Sequence, residues 1–331
     1  MYQADENRYK HMLYTRCGNR GLKFPFLSLG LWHNFGGDDS YLRARELILG
    51  SFDLGITHFD MANNYGSPAG SAEETFAKIL KKDLFSHRNE LILSTKAGYY
   101  MWPGPYGEYN SRKNLMASLD DSLQRLGVDY VDIFYSHRPD SETPIEETVS
   151  ALADIVRQGK ALYVGISNYY GEESARAVQM LKMEGVPCLI NQAPYSMFDR
   201  RPEERTFKEL EKEGVGVIAF MTLAQGILSE KYFNGIPDNS RAGGNSRFLL
   251  PEHVTTEKVE KAKRLNQIAK ERGQTLSQMA IAWAYRQPIV CSVLIGASCM
   301  EQIHENMRAS EQLNFTEEEL AKIDEILASH E

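Results

Sequence analysis

A chain of 331 residues that is 42% apolar and 25% charged can bury a large core, and it is too polar along its length for a membrane protein. No apolar run approaches the roughly 20 residues a spanning helix needs, and the N-terminal segment Met-Tyr-Gln-Ala-Asp-Glu-Asn-Arg-Tyr-Lys has no apolar signal core, so a cytoplasmic protein is expected. A net charge of −8 argues against broad nucleic-acid binding but allows a local cationic pocket for one phosphorylated ligand.

Cys17, Cys188, Cys291 and Cys299 are scattered, without a CxxC or a His pair at metal-ligand spacing, and read as reduced thiols. Residues 12–25 hold short β-like pieces around Gly18 and Gly21, the pattern of a hairpin before the main fold. Apolar strand-like runs then recur at Leu27–Trp32, Thr57–Met61, Leu91–Thr95, Tyr130–Ser136, Leu162–Ile166, Cys188–Asn191, Val215–Phe220 and Ser292–Ile295. Between them, Arg43–Phe52, Ala72–Lys81, Asn114–Leu126, Ile145–Arg157, Glu172–Met183 and Arg205–Glu213 show the spacing of helices with one buried face. Ser71 with Glu74 predicts a capping box, and Thr143-Pro144 predicts a helix start with acids in its first turn. After Phe220 comes a long Gly-, Asn-, Ser- and Pro-rich connection over 222–252, then helices at Glu257–Arg272, Leu276–Arg286, Glu301–Arg308 and Glu317–Ala328.

Strands alternating with helices in this way predict an α/β fold, a (β/α)8 TIM barrel in one domain over 1–331, with an N-terminal hairpin, a long loop after the seventh barrel strand and extra C-terminal helices. The competing doubly wound sheet usually carries G-x-G-x-x-G after its first strand, and Leu27-Ser-Leu-Gly-Leu-Trp leads into no such loop.

In a barrel the C-terminal strand ends share one mouth. Here they supply Trp32 and His33, Asp60 with Tyr65 beyond it, Lys96, His137 and Arg138, Ser167 and Asn168, and Asn191 and Gln192. A Lys closing a buried strand is costly unless paired, and Asp60 on the adjacent strand is its expected counter-charge. A nearby ammonium is expected to lower the phenol pKa of Tyr65, Asp60 to hold Lys96, and His137 to donate to a carbonyl oxygen. That set suits protonation of an oxygen becoming an alkoxide. Taken singly, Lys96 and Asp60 also read as a structural ion pair, and His137 as a satisfied core histidine.

The constellation Asp60, Tyr65, Lys96 and His137, set in His-Phe-Asp-Met-Ala-Asn-Asn-Tyr-Gly, Ser-Thr-Lys-Ala-Gly and Tyr-Ser-His-Arg-Pro-Asp, resembles the tetrad of the aldo-keto reductase superfamily. The resemblance covers roughly residues 13–328. It implies nicotinamide contacts from Ser167, Asn168 and Gln192, with Trp32 nearby, and a pyrophosphate clamp from Leu223, Gln225 and Gly226 with Lys231 as cation. It further implies closure over the adenosine end by Ser240 and Arg241, and a 2′-phosphate and adenine site from Gly296, Ser298, Gln302, Glu305 and Asn306. NADP(H) is therefore the implied cofactor. Ser298 alone also reads as a helix N-cap. Two positions depart from the family pattern: Met221-Thr222 stands where a Ser or Thr and then Pro is common, and Cys299 replaces a residue that is often basic or an amide.

Tyr99-Tyr-Met-Trp-Pro-Gly-Pro-Tyr-Gly107, Ser111-Arg-Lys113 and Gly30-Leu-Trp-His-Asn34 are most similar to the branch of bacterial L-glyceraldehyde 3-phosphate reductases, near the potassium-channel β subunits. The implied activity is NADPH-dependent reduction of small aldehydes, glyceraldehyde 3-phosphate or methylglyoxal among them. Trp32, Trp102 and Tyr106 are expected to wall the substrate pocket, and Arg112 and Arg138 to meet a substrate phosphate. The rival is a redox-sensing cofactor-binding subunit like the channel β subunits, and a carboxylate-pair hydrolase lacks a second acid at the mouth. The expected partner is a small aldehyde, with no nucleic acid or membrane, and homo-oligomerisation is left open.

Overall fold

A computed structural model describes residues 2–238, 240–244 and 249–329. Parts of the 222–252 connection, residues 239 and 245–248, lie outside the described residues.

The chain begins with an antiparallel pair, β1 (Tyr14–Arg16) and β2 (Lys23–Pro25). The barrel strands are β3 (Leu27–Gly30), β4 (His58–Asp60), β5 (Ile92–Ala97), β6 (Val131–Ser136), β7 (Ala161–Ser167), β8 (Ile190–Pro194), β9 (Gly216–Phe220) and β10 (Val290–Ile295). They close in parallel in the order β10-β3-β4-β5-β6-β7-β8-β9, so the predicted TIM barrel with its preceding hairpin is the observed fold. Helices α1 (Tyr41–Asp53), α2 (Ser71–Ile79), α3 (Arg112–Leu126), α4 (Ile145–Arg157) and α5 (Gly171–Met183) follow successive strands. Two short helices, α6 (Arg201–Glu204) and α7 (Thr206–Lys212), come next, then α8 (Thr256–Glu271), α9 (Leu276–Tyr285), α10 (Met300–Met307) and α11 (Glu317–Ala328).

Strand periodicity sorts the core into two compartments. Ile92, Ile133, Ile190 and Ile218 point into the barrel with Tyr135, whereas Leu93, Phe134, Val164 and Val217 pack against the helices. Gly165 is required inside the barrel because a Cβ there would lie 2.5 Å from the Tyr135 ring. The hairpin stops the N-terminal end with Cys17 and Phe24, and Gly18 lets it close down on the Gly214 carbonyl.

Several predicted boundaries move. The first barrel strand ends at Gly30, although Leu31 N–H still bonds to Asp60 O at 2.9 Å, so Trp32 and His33 stand in the loop beyond it. The fifth strand runs on through Lys96 to Ala97, placing the ammonium inside the ladder. The helix expected at 205–213 is α7, and non-helical Arg205 (φ −148°, ψ −39°) at its start separates it from the additional short α6. The Ser71 capping box does not form: left-handed Gly70 is the cap, and the Ser71 hydroxyl instead accepts from Gly37 N–H at 2.9 Å. No helix among the described residues is long and apolar enough to cross a membrane.

Candidate active site

Register places the central groups. β4 pairs with β5 so that Asp60 is opposite Ser94, and β5 pairs with β6 so that Lys96 is opposite Tyr135. Lys96 Nζ donates to Asp60 Oδ2 at 2.5 Å and to the Met61 carbonyl at 2.7 Å, and reaches the Tyr65 hydroxyl at 3.5 Å. The other carboxylate oxygen, Oδ1, accepts from Ser94 Oγ at 2.7 Å and Gln192 Nε2 at 3.0 Å. His137 stands beside the phenol, with ring centroids 5.8 Å apart. The four sequence-predicted residues therefore meet at one mouth. A buried ion pair survives only when its remaining lone pairs and protons are satisfied, and the donors to Oδ1 and the Met61 carbonyl do this.

Burial, opposed by Asp60, pulls the Lys96 ammonium below its ordinary value. Burial holds the His137 imidazole well below the usual histidine range, with Lys96 and Arg138 adding to it, so the ring is neutral. Its Nδ1 is buried without a partner among the described residues. Carrying the proton on Nε2 leaves that nitrogen a bare acceptor rather than an unpaired donor, and gives the mouth an N–H.

The Tyr65 phenol departs from expectation. Burial pushes it well above its ordinary value, and the Asp60 carboxylate adds to the rise. The expected depression by Lys96 is not seen, because the ammonium lies closer to Asp60 than to the hydroxyl and the pair is close to neutral as a unit. The phenol therefore keeps its proton.

The mouth wall is aromatic. Trp32 lies 6.2 Å from the Tyr65 ring, and Tyr99 meets His137 edge-on at 4.6 Å. Sequence reasoning does not single out Tyr99 as a site residue, and its place directly after the Lys96-Ala-Gly strand end is the available signal. Ser94 was missed likewise, although strand alternation puts it on the face of Lys96. Trp102 is half-buried within its own loop, against Gly107. Tyr106 is 54% exposed with Lys113 over its ring, so its observed contacts are loop packing and not a pocket wall.

The two expected phosphate cations are both engaged. Arg138 donates to Glu108 Oε1 at 2.6 Å and stacks on Tyr99, its guanidinium 4.4 Å from the ring centre. Its partner is thus Glu108, while Asp140 instead accepts from Asn110 N–H and Glu142 N–H. Arg112, the first residue of α3, donates to Asp154 on α4 at 2.5 Å, a bridge between helices.

The positions expected to hold a cofactor lie at or beyond the ends of the later barrel strands. Asn168 is left-handed (φ 62°), and its Nδ2 donates to His137 O and to Ser167 Oγ. Gln192 spends its amide nitrogen on Asp60, leaving the amide oxygen for a ligand. After β9, Leu223 leads into Ala224, Gln225 and Gly226, all at positive φ, a conformation that non-glycine residues hold only when the surroundings impose it. Lys231 is exposed in the short turn Glu230–Tyr232. Asn34 Nδ2 donates to Ala297 O at 3.0 Å, joining the loop after β3 to the loop after β10. Gly296 and Ser298 are exposed, and Ser298 N–H and Oγ both donate to Gln302 Oε1, at 2.9 and 3.3 Å. Ser298 is therefore capped by Gln302 and is not itself the α10 cap, which is Cys299. Glu305 accepts from Thr275, and Asn306 is buried.

Arg241 is the informative member. It is partly buried, which lowers its pKa, and burial holds the neighbouring His33 imidazole down, with the Arg241 charge adding to it. No carboxylate pairs with it among the described residues. A half-buried guanidinium without a carboxylate suits an anionic ligand, so the donor set fits a phosphorylated dinucleotide.

A family model described as Aldo/keto reductase family matches residues 26–328. The chain is 50% identical over 335 aligned positions to an L-glyceraldehyde 3-phosphate reductase of Escherichia coli O157:H7, covering 100% of this chain and 97% of that protein. A protein of the same name from Escherichia coli strain K12 matches with the same identity and coverage.

Proposed function

The chain belongs to the aldo/keto reductase family, and from that premise we propose that it uses NADPH to reduce small aldehydes to alcohols. The observation that carries this reading is the buried Lys96 ammonium held between the Asp60 carboxylate and the Tyr65 hydroxyl. The bound cofactor would supply hydride to the carbonyl carbon. Tyr65, protonated because its site is buried, gives its proton to the carbonyl oxygen as negative charge develops there. Lys96 stands within reach of the phenol oxygen and stabilises the phenolate that remains. Asp60 fixes Lys96, and neutral His137 orients the carbonyl through Nε2–H. Trp32 and Tyr99 keep water from the reacting face.

Ser167, Asn168 and Gln192 would hold the nicotinamide amide, Leu223, Gln225, Gly226 and Lys231 the pyrophosphate, and Arg241 with Gly296, Ser298, Gln302, Glu305 and Asn306 the adenosine end. For substrate we propose a short phosphorylated aldehyde, as the names of the relatives suggest, with methylglyoxal and simple aromatic aldehydes turned over less well. Both cations are paired, but Arg138 stacks on Tyr99, which itself meets His137, whereas Arg112 bridges α3 to α4 through Asp154, so the reading assigns the phosphate to Arg138. The test is a reductase screen with NADPH and NADH over phosphorylated and unphosphorylated aldehydes. Turnover of short aldehydes with NADPH is expected, and cofactor binding without turnover on any aldehyde would remove the reading.

A further inference from the structure

Beneath the mouth, the barrel interior carries a second polar system. Ser94 Oγ, which donates to Asp60 Oδ1, lies 2.9 Å from His58 Nε2. His58 Nδ1 lies 2.9 Å from Ser28 Oγ, and Ser28 Oγ is 2.7 Å from Ser292 Oγ, which reaches the Pro25 carbonyl. Ser28, His58, Ser94 and Ser292 are all at 0% exposure, and the Phe24 ring meets the imidazole edge-on at 5.0 Å.

The carboxylate at one end sets the direction of these bonds. An ionised carboxylate only accepts, so the single Ser94 hydroxyl proton goes to Asp60. Ser94 Oγ must then accept from His58, which places the imidazole proton on Nε2. A neutral ring with that tautomer leaves Nδ1 as an acceptor for Ser28 O–H. Burial keeps the ring neutral, holding His58 down at about 4, with Asp60 and Lys96 acting in opposite senses. At Ser292 one hydroxyl proton faces three acceptors, Ser28 Oγ and the Pro25 and Phe26 carbonyls, and the chain ends there.

We propose that His58 and Ser94 are positioning residues for the reaction: the Nε2–H tautomer of His58 commits the Ser94 hydroxyl to Asp60 and so fixes the carboxylate that holds Lys96 beside Tyr65. This rests on the reading of Tyr65 as the proton donor. A carboxylate held at one oxygen by Lys96 and at the other by Ser94 and Gln192 cannot turn about its own axis. Without Ser94 only the longer Gln192 bond, at 3.0 Å, remains on Oδ1, so the carboxylate is held less tightly and the ammonium shifts with it away from a phenol that it already reaches only at 3.5 Å.

Kinetics and spectroscopy test this on the full-length protein with NADPH and a short aldehyde. Ser94→Ala and His58→Leu are each expected to lower kcat by roughly ten- to a hundredfold, the scale of a small misplacement of a catalytic group, with KM and NADPH affinity within about threefold of wild type. Because His58 acts through Ser94, the double variant is expected to lose no more than Ser94→Ala alone, whereas a general structural role would give losses that multiply. His58→Gln, which offers one donor and one acceptor in a similar place, is expected to recover most of the rate. Independently of activity, nitrogen NMR of the histidine-labelled, cofactor-free protein is expected to show His58 neutral with hydrogen on Nε2.

Hydrogen on Nδ1, wild-type kcat in Ser94→Ala, or multiplying losses in the double variant each overturn the proposal. Should His58→Leu not fold, Ser94→Ala and the tautomer decide. If wild type turns over aldehyde, Tyr65→Phe is inactive and Ser94→Ala is normal, this inference alone fails. If Tyr65→Phe remains active, the proton-donor reading fails and this one with it.

Discussion

Lys96 and Asp60 form an ion pair of 2.5 Å in which both side chains are wholly removed from solvent. Such a pair is held by geometry, since desolvation offsets most of the Coulombic gain, and removal of one partner strands the other. Asp60→Asn leaves the ammonium with the Met61 carbonyl and the phenol, and is expected to destabilise the protein by about 3–5 kcal/mol. Lys96→Met is expected to cost less, because the carboxylate keeps Ser94 and Gln192 as donors. Chemical denaturation of both variants and of the double variant checks the order, with the double variant more stable than Asp60→Asn.

Tyr65→Phe removes the hydroxyl that, in the proposed reaction, acts on substrate oxygen, and whose hydrogen-bond partner among the described residues is Lys96. Reduction is expected to fall by ~10²–10⁴-fold, the usual worth of general acid catalysis, while NADPH affinity stays within a few-fold. Lys96→Met is expected to be equally inactive. Steady-state rates and fluorescence titration separate the two effects, and more than a tenth of wild-type kcat in Tyr65→Phe removes the residue from its role.

The barrel was legible because apolar runs recur with helical patterns between them, and Lys96 was legible because an ammonium closing a buried run needs a carboxylate. His58 and Ser94 were not. Both lie within apolar runs, where a polar residue on an inward face differs from an ordinary strand residue only once register places Ser94 opposite Asp60. The sign of the Tyr65 shift was misread for a related reason: sequence gives the neighbouring charges but not the depth of burial, and burial dominates. Arg112 and Arg138 looked available because their partners, Asp154 and Glu108, are 42 and 30 positions away along the chain.

Stability should fall between pH 6.5 and 4. His58 binds a proton in the folded protein only near about 4, whereas the unfolded chain binds one near its ordinary value. As pH drops through that window the unfolded state gains protons that the native state refuses, so unfolding becomes easier, by about 3 kcal/mol for this group. The low value of His137 acts in the same direction. The Asp132 and Glu173 carboxyls, raised by burial, act in the opposite sense as pH falls, so loss already evident between pH 6.5 and 5 points to the histidines. Tm measured across this range is expected to decline less in His58→Gln, and an unchanged slope in that variant removes His58 as the cause.

Arg241 is a partly buried guanidinium with no carboxylate partner among the described residues. A charge-assisted contact to a 2′-phosphate is worth ~1.5–3 kcal/mol, or roughly ten- to a hundredfold in affinity. Arg241→Ala is therefore expected to weaken NADPH binding by that factor and NADH binding little. Equal loss for both dinucleotides places Arg241 elsewhere, and a wild-type preference for NADH overturns the NADP(H) assignment.

The Arg138–Glu108 contact sets the terms for a substrate phosphate. The guanidinium donates to Glu108 at 2.6 Å, but both side chains retain some exposure, 28% and 35%, so the pair can reopen to a competing dianion. A phosphate would have to displace the carboxylate, and Arg remains anchored meanwhile by Gly98 O and the Tyr99 ring. If Arg138 reads the phosphate, Glu108→Gln is expected to raise kcat/KM for glyceraldehyde 3-phosphate over glyceraldehyde several-fold, because the competing charge is gone. Arg138→Ala is expected to erase the phosphate advantage, and Arg138→Lys to keep part of it, since lysine preserves the charge without the planar fork. Added salt should reduce the advantage in wild type and leave Arg138→Ala unaffected. An advantage that survives Arg138→Ala, or that Glu108→Gln diminishes, means that Arg138 serves to hold the 98–110 loop against the barrel and that the enzyme selects aldehydes by the aromatic wall of Trp32 and Tyr99.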